Sequence, residues 1–267
     1  MVSSVSSKGL GNAVSALEIE LVPCLRDNYA YLVRDRDSDL CAIVDPSEPG
    51  PVKTALARHG WRLTHILNTH HHFDHTGGNI PLKEEFGARI VGPGKDRDRI
   101  PGIDVGVDET TNWEFGAKPV RVLEIPAHTR AHIAFVVDGA AFTGDTMFAM
   151  GCGRLFEGTP EMMWTSLSKL MLLPDETKIY CGHEYTQNNG RFALTLEPKN
   201  ADLVARMKDV DGKRAGNAPT IPSTIGLEKK TNPFLRPGSP EIRRTLGLEK
   251  ESDVAVFGEM RRRKDSF

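Results

Sequence analysis

The segment 69–78, which reads THHHFDHTGG, limits the possible folds of this chain more than any other feature. It contains four of the chain's nine histidines together with one aspartate. The preceding residues, 64–68, are β-branched and apolar, which predicts a buried strand. A pair of glycines then leads into a helix-like segment at 79–86. We therefore expect the histidines on a loop between a strand and a helix, where α/β folds place their reactive side chains.

The spacing of these histidines predicts which side chains converge. Alternate residues of an extended chain point the same way, so His70 and His72 can reach one point while His71 points elsewhere. Asp74 and His75, at the turn into the helix, can reach a second point nearby. Imidazole nitrogen and carboxylate oxygen are ligands that zinc, iron and manganese accept. A histidine-rich surface loop, or buried histidines that are only hydrogen-bonded, is the alternative interpretation.

Composition narrows the class of protein. The net charge of −2 argues against general nucleic-acid binding, which requires a basic face. The four cysteines are widely spaced and form no CxxC motif, which suits a reducing cytosol better than a disulfide framework. No apolar run approaches the ~20 residues that span a bilayer. We expect a cytoplasmic monomer with no nucleic-acid or membrane partner, and a disordered, Ser-rich extension at residues 1–16.

The rest of the chain divides into a strand-rich part and a helical part. Strands are predicted at 17–24, 29–34, 41–46, 64–68, 89–91, 120–125, 133–137, 140–142 and 178–181. Helices are predicted at 52–59, 79–86, 159–172, 186–196, 198–213, 240–246 and 252–263. Residues 92–114, rich in Gly, Pro and Asp, are predicted to form a loop. Two domains of ordinary size follow from this pattern, at 17–183 and 184–267.

Three further residues with ligand chemistry lie just past predicted strands: His128, Asp145 and His183. Taken singly, a histidine or aspartate in such a place is usually a surface or turn residue. Together with the segment 69–78 they complete two metal sites that share one carboxylate. The predicted ligands are His70, His72 and His128 for one metal, Asp74, His75 and His183 for the other, and Asp145 as the bridge.

The motifs THHHFDHTGG, PAHT, GDT and CGHEY, in this order, resemble the metallo-β-lactamase superfamily. That resemblance implies an α/β fold, an αββα sandwich with a dinuclear metal site at one edge. Four further segments are similar to the hydroxyacylglutathione hydrolases, or glyoxalases II, which add a C-terminal helical domain. They are GCGRLFEG at 151–158, YCGHEY at 180–185, NPFLR at 232–236 and RRRKD at 261–265. The likeness covers residues 17–267.

The resemblance implies a catalytic domain at 17–183, a substrate-binding domain at 184–267, and S-D-lactoylglutathione as the substrate. Hydrolysis of this thioester gives D-lactate and glutathione, the second step of methylglyoxal detoxification. Two divalent transition metal ions are implied, zinc first, with iron or manganese as alternatives. The implied substrate contacts are Arg154, Phe156, Tyr185, Arg261 and Lys264. Cations suit the two carboxylates of glutathione, although a basic helix end also favours the helix dipole without any ligand.

Two departures from the family pattern are visible. Some members have tyrosine where Phe156 stands, so a hydroxyl contact to the substrate is missing here. Ala127 and Ala131 flank His128 where glycine is common. The ligand itself is unaffected, and only the local backbone shape is in question.

The predicted chemistry follows from the metals. A zinc ion can lower the pKa of a water to ~7, which gives a hydroxide able to attack the thioester carbonyl. The thiol product has a pKa of about 8.5 and can leave as thiolate without a general acid. Asp74 is the candidate to orient or deprotonate the water, and Asp45 is either a partner of a ligand histidine or a turn former.

Other functions remain open at this stage. Another metal-dependent hydrolase, or a persulfide dioxygenase with a single iron, would share the histidine motif. A non-enzymatic binding module is the alternative of a different class, and it would be expected to have lost metal ligands. His59, His65, His71 and His132 are assigned no ligand role.

Overall fold

The computed structural model describes residues 16–267 and stacks two mixed sheets face to face. The strands of the first sheet are β1 (Glu18–Cys24), β2 (Asn28–Asp35), β3 (Leu40–Val44), β4 (His65–Leu67), β5 (Arg89–Pro93) and β6 (Val105–Val107). β1, β2 and β3 pair antiparallel, and β3 to β6 run parallel. The predicted extension at 1–16 lies, except for its last residue, outside the described residues.

The second sheet has the order β14-β13-β10-β9-β8-β7. Its strands are β7 (Trp113–Phe115), β8 (Lys118–Glu124), β9 (Ile133–Val137), β10 (Ala140–Gly144), β13 (Lys178–Cys181) and β14 (Ser223–Thr224). A small hairpin is formed by β11 (Met147–Phe148) and β12 (Gly151–Cys152). β10 and β13 pair in parallel, so their carboxyl ends lie side by side.

Helices cover the outer faces of both sheets. The helices of the described residues are α1 (Pro49–His59), α2 (Phe73–Thr76), α3 (Asn79–Phe86), α4 (Pro160–Met171), α5 (Thr186–Leu196), α6 (Ala201–Ala215), α7 (Ile225–Thr231), α8 (Pro240–Leu246) and α9 (Asp253–Asp265). α1 and α3 pack on the first sheet, and α4, α5, α8 and α9 pack on the second. The predicted αββα sandwich with added C-terminal helices is therefore confirmed.

The apolar pattern of β2 shows why the sheets stack this way. Tyr29, Tyr31 and Val33 contribute to the core between the sheets, whereas Ala30 and Leu32 face the helices on the outside. Successive side chains of a strand point to opposite faces, so a strand covered on both sides needs an almost unbroken apolar run. β2 is therefore a central, fully enclosed strand.

Two parts of the secondary-structure prediction were wrong. Residues 92–114 were predicted to be loop, but they hold the 3₁₀ turn Gly94–Arg99, β6 and the beginning of β7. No strand was predicted after residue 183, yet β14 extends the second sheet and pairs with β13. The strands β6, β7 and β14 are only two or three residues long and lie at sheet edges, where pairing with a neighbour outweighs weak local preference.

The helices after residue 184 share a hydrophobic core with the strand-rich part. Phe257 and Met260 of α9 belong to the same buried cluster as Met163 and Leu167 of α4. The domain boundary between 183 and 184 remains a prediction.

Candidate metal centre and adjoining pocket

Four loops at one edge of the sandwich bring the predicted metal ligands together. They follow β4, β8, β10 and β13. Backbone hydrogen bonds join the loops at this edge: the Ile133 amide donates to the Thr69 carbonyl (3.0 Å), and the Gly182 amide donates to the Gly144 carbonyl (2.9 Å). The loops of the two sheets therefore face one another.

The first group consists of His70, His72 and His128. The Nδ1 atom of His72 lies 3.1 Å from Nε2 of His70 and 3.1 Å from Nε2 of His128. Burial lowers the pKa of His70 well below its usual value and that of His72 to about 4. The imidazoles are therefore neutral at physiological pH, and neutral imidazole is the form that binds a metal.

Partners on the opposite ring nitrogens fix which nitrogen of each histidine is free. The Thr69 hydroxyl donates to Asp45 (2.6 Å), so its oxygen accepts from Nδ1 of His70 (3.0 Å). The Arg154 carbonyl can only accept, so Nδ1 of His128 donates to it (3.0 Å). Both rings thus present an unprotonated Nε2 to the same point, the arrangement typical of metal-binding histidines.

The second group consists of Asp74, His75 and His183. Oδ2 of Asp74 lies 3.4 Å from Nε2 of His183 and 3.7 Å from Nε2 of His75. Carboxylates hold the other ring nitrogens: Nδ1 of His75 is 3.2 Å from Asp45, and Nδ1 of His183 is 3.0 Å from Asp27. The partner role considered for Asp45 is therefore present in the structure, which also gives that residue a left-handed φ of 49°.

Asp145 lies between the two groups. Its Oδ2 atom is 3.2 Å from Nε2 of His183 and 3.5 Å from Nε2 of His128, and its Oδ1 atom is 3.4 Å from Nε2 of His75. Burial acts to raise the pKa of Asp145, but His75 and His183 outweigh it and hold the pKa well below its usual value. Conversely, burial acts to lower the pKa of His75, and Asp145 and Asp45 raise it well above its usual value. The carboxylates here thus favour positive charge at this point.

These residues fit a pair of metal ions. Within residues 16–267, Nε2 of His75 and Oδ1 of Asp145 are buried atoms without a hydrogen-bond partner. Such atoms are rare in folded proteins, and a bound metal ion would satisfy both of these. In each of the two groups the ligand atoms lie within 4.8 Å of one another. Imidazoles combined with carboxylates suit zinc, iron or manganese.

A cavity of ≈ 520 Å³ opens beside the metal-ligand groups. Ligand pockets have about this size. Its lining includes all five residues predicted to contact substrate: Arg154, Phe156, Tyr185, Arg261 and Lys264. We call these five residues the recognition wall and the seven predicted ligands the metal wall.

Aromatic rings of the recognition wall lie directly against the metal wall. The Tyr185 ring stacks on His183 with centroids 4.7 Å apart and planes 4° from parallel. The Phe156 ring is 5.1 Å from the ring of His128 and is 60% exposed. A bound molecule would therefore touch aromatic surface immediately beside the metal ions.

The two cations that α9 contributes to the cavity, Arg261 and Lys264, differ in their surroundings. Arg261 is buried and donates from Nη1 to the Cys152 carbonyl (2.7 Å), while its Nη2 is 3.0 Å from Asp265. Its Nε is buried without a hydrogen-bond partner among the described residues. Burial, with Arg261 and Arg154 nearby, lowers the pKa of Lys264 to about 8. A free anion near Lys264 would relieve this unfavourable charge.

Comparison with known proteins places this site in a family. A model described as the metallo-beta-lactamase superfamily matches residues 25–183, and one described as the hydroxyacylglutathione hydrolase C-terminus matches residues 184–267. The hydroxyacylglutathione hydrolase of Methylococcus capsulatus is 53% identical, with 94% of this chain and 99% of that protein covered. The chain belongs to the hydroxyacylglutathione hydrolase family.

Solved structures share the fold of this family member. ETHE1 from Myxococcus xanthus matches with a TM-score of 0.65 and 23% identity, covering 92% of this chain and 90% of that one. TTHA1623, solved in a di-iron-bound form, matches with a TM-score of 0.56 and 25% identity, covering 80% of this chain and 98% of that one. Within residues 16–267, no helix has both the length and the apolar character needed to cross a bilayer.

The departures from the family pattern have a local structural consequence. Ala127 has a φ of 139°, a conformation that favours glycine. A Cβ added to Gly158 would lie 2.5 Å from the Cα of Ala127, so only glycine allows the two loops to approach this closely. Ala127 therefore has a strained backbone conformation in the loop before His128, and the absence of a side chain at Gly158 leaves room for it.

Three other histidines have contacts of their own, and one supporting residue was not predicted. His71 turns away from the metal wall to Asp96, and His65 packs on Phe115. His132 is buried, stacks on His70 and accepts a hydrogen bond from the Asp145 amide (3.1 Å). Asp27 was not predicted as a partner of His183, because no local pattern indicates a contact between residues that are 156 positions apart.

Proposed function

We propose that this chain is a metal-dependent thioester hydrolase that cleaves S-D-lactoylglutathione, and related S-2-hydroxyacylglutathiones, to a hydroxy acid and glutathione. The observation that carries the proposal is that five of the seven residues of the metal wall and all five of the recognition wall line one cavity. A hydrolytic centre alone would suit many substrates. Cations and aromatic rings beside it suit an anionic peptide joined to the reacting group.

The metal wall would hold two divalent transition metal ions, zinc first, with iron or manganese as alternatives. His70, His72 and His128 would bind one ion, Asp74, His75 and His183 the other, with Asp145 shared. Bound there, the ions supply an activated water and polarise the thioester carbonyl. The structurally similar protein TTHA1623 was solved in a di-iron-bound form, which supports a dinuclear site.

Asp74 is the residue of the chain best suited to move a proton in this reaction. The Asn28 side-chain amide donates to Oδ2 of Asp74 (3.1 Å), which fixes the orientation of the carboxylate. The side chain is 39% exposed and lines the cavity, so its other oxygen can accept a proton from water. The thiol product, with a pKa of about 8.5, needs no general acid to leave.

The recognition wall would bind the peptide portion of the substrate. Lys264 and Arg154 would attract its carboxylates, and Phe156 and Tyr185 would pack along its backbone. Arg261 would contribute its free Nε and hold the Cys152 carbonyl in place. In this proposal residues 17–183 perform the catalysis and residues 184–267 supply much of the substrate binding, in the cytoplasm, where the four buried cysteines stay reduced.

Hydrolysis of S-D-lactoylglutathione, followed at the thioester absorbance, tests the proposal. We expect turnover that is lost on treatment with a chelator and restored by a divalent transition metal ion. Elemental analysis of the purified protein should find about two such ions per chain. A β-lactam and a glutathione persulfide serve as comparison substrates, the latter with oxygen uptake recorded. Absence of metal-dependent thioester loss, or faster persulfide oxidation, would contradict the proposal.

A further inference from the structure

A cluster of charged side chains lies beside the metal wall and is used by neither wall of the cavity. It is centred on Arg99, the last residue of the turn Gly94–Arg99. Nη2 of Arg99 is 2.6 Å from Asp96, and its two terminal nitrogens are 2.5 and 3.1 Å from the two oxygens of Glu157. A bidentate pair of this kind fixes both direction and distance.

The same guanidinium also orients His71, which lies between two predicted ligands. Nη1 of Arg99 is 3.2 Å from Nε2 of His71. Because a guanidinium can only donate, this Nε2 accepts, and the proton of the neutral ring must be on Nδ1. That Nδ1 is 3.0 Å from Asp96, which is 4% exposed. Arg99 and Asp96 together thus specify one tautomer of His71.

Glu157 carries the connection to a second and a third loop. Its Oε2 accepts from the Arg130 backbone amide (2.8 Å), two residues beyond His128. Its own amide donates to the Ala127 carbonyl (3.4 Å). Arg99 therefore joins the loop of His71, the loop of His128 and the segment 153–158. Hydrogen bonding to Arg99 lowers the pKa of Glu157 to about 2, so the carboxylate remains charged.

The segment 153–158 also carries two members of the recognition wall, Arg154 and Phe156. Its start is held independently, because the Gly153 amide donates to the Thr146 carbonyl (3.2 Å). Phe156, next to Glu157, is largely exposed, so burial of its ring does not fix its position. The bidentate ion pair with Arg99, together with the two hydrogen bonds of Glu157 to the backbone of Ala127 and Arg130, holds this end of the segment.

We propose that Arg99 is a positioning residue that, through Glu157, holds Phe156 and Arg154 over the metal wall. The inference rests on the proposed function, because it assigns those two residues to substrate binding. Arg99 itself need not touch the substrate. Its loss should therefore weaken binding of the substrate. The metal ligands should remain in place, because none of the contacts that orient them is made by the side chain of Arg99 or Glu157, and the Arg154 carbonyl that accepts from His128 lies next to Gly153, which is held independently.

Steady-state kinetics with S-D-lactoylglutathione test the role of Arg99. We expect Arg99→Gln and Glu157→Gln each to raise KM roughly tenfold and to change kcat less than about threefold, with unchanged metal content. The double variant should be no worse than either single one, because both remove the same contact. Arg99→Lys keeps the positive charge but cannot form the bidentate pair. Its KM should therefore lie between those of the wild type and Arg99→Gln.

Arg97→Gln is the matched control. Arg97 belongs to the same turn but is exposed and donates to the carbonyls of Ile103 and Asp104 instead of a loop of the cavity. We expect wild-type kinetics for this variant. Equal KM values for Arg99→Gln and Arg97→Gln would overturn the inference. It would also be overturned if Arg99→Gln lost activity only in proportion to its loss of bound metal.

A second measurement does not depend on activity. Nitrogen-15 spectra of the zinc-loaded protein, assigned with a His71→Gln variant, should show His71 protonated on Nδ1 in wild type and in Arg97→Gln. We expect this signature to be lost in Arg99→Gln. If the wild type fails to hydrolyse the thioester but the spectra change as expected, the positioning role of Arg99 is supported and the proposed function is rejected. An Nε2-protonated His71 in wild type would overturn the positioning role.

Discussion

The two walls of the cavity are built in different ways. On the metal wall the ligand histidines are mostly buried, and partners such as Asp45 and Asp27 hold the ring nitrogens that face away from the metal. On the recognition wall Phe156 is 60% exposed and the side chain of Arg154 is 65% exposed. One wall is fixed before any ligand arrives, whereas the other is made of side chains that can still move.

This difference suits the roles that we propose for the two walls. Charge stabilisation at a reacting centre depends on donors and ligands that need no rearrangement, so burial and second hydrogen bonds are favourable there. Binding of a flexible peptide tolerates adjustment, and long side chains can follow it. Arg261 is the exception on its wall, because it is buried and holds a backbone carbonyl. The comparison can be tested residue by residue.

The largest effect is expected at Asp145. Asp145→Asn keeps the shape of the side chain but removes the charge shared by the two ligand groups. We expect kcat to fall about a thousandfold or more, with reduced metal content, because several kcal/mol of stabilisation depend on the ions. Turnover and elemental analysis measure this. Asp209→Asn, an exposed carboxylate paired with Lys213 on α6, is the control. A fully metallated, active Asp145→Asn would contradict the shared role.

The next effect separates the two cations of α9. The double variant of Arg261→Ala with Lys264→Ala should raise KM up to about a hundredfold and lower kcat much less. Arg261→Ala alone should also lower Tm, because it leaves the Cys152 carbonyl buried without its partner, whereas Lys264→Ala should not.

Kinetics and thermal melts distinguish these outcomes. The neighbouring exposed pair Arg262→Ala with Arg263→Ala, which contacts Glu259 rather than the cavity, is the control. An unchanged KM in the Arg261 and Lys264 double variant would remove both residues from substrate binding.

A smaller effect is expected on changing pH. Since the pKa of Lys264 is lowered to about 8, the amine is charged below that pH and neutral above it. Only the charged form pairs with a carboxylate, so KM should rise as pH increases through about 8. Lys264→Arg, whose guanidinium stays charged, should abolish that rise. The same pH dependence in wild type and Lys264→Arg would show that another group is responsible.

The smallest effect is expected from Phe156→Tyr. Adding a hydroxyl at this exposed ring supplies one hydrogen bond to a bound peptide and should lower KM about threefold, in line with the modest net value of a single hydrogen bond. kcat should not change, because the ring lies outside the ligand groups. Phe156→Leu, which removes the ring, should move KM in the opposite direction. A higher KM in Phe156→Tyr would mean that the ring edge faces apolar surface.

Much of the metal wall could be predicted from residue order alone. Alternation along an extended chain separates His70 and His72 from His71. Asp145 and His183 follow β10 and β13, whose parallel pairing brings their carboxyl ends together. The cavity contacts of Tyr185 and Lys264 needed the resemblance to a known family. Without that resemblance, the basic end of α9 is better interpreted as a solvated helix terminus.

The contacts that hold these residues in place were decided by the tertiary structure. Arg99 and Glu157 are 58 residues apart, Arg261 and Cys152 are 109 apart, and neither pair follows a local pattern. Periodicity reports which face of an element is buried, not which distant side chain lies opposite. Only the stacking of the two sheets, with α9 packed against α4, brings these partners within hydrogen-bonding distance.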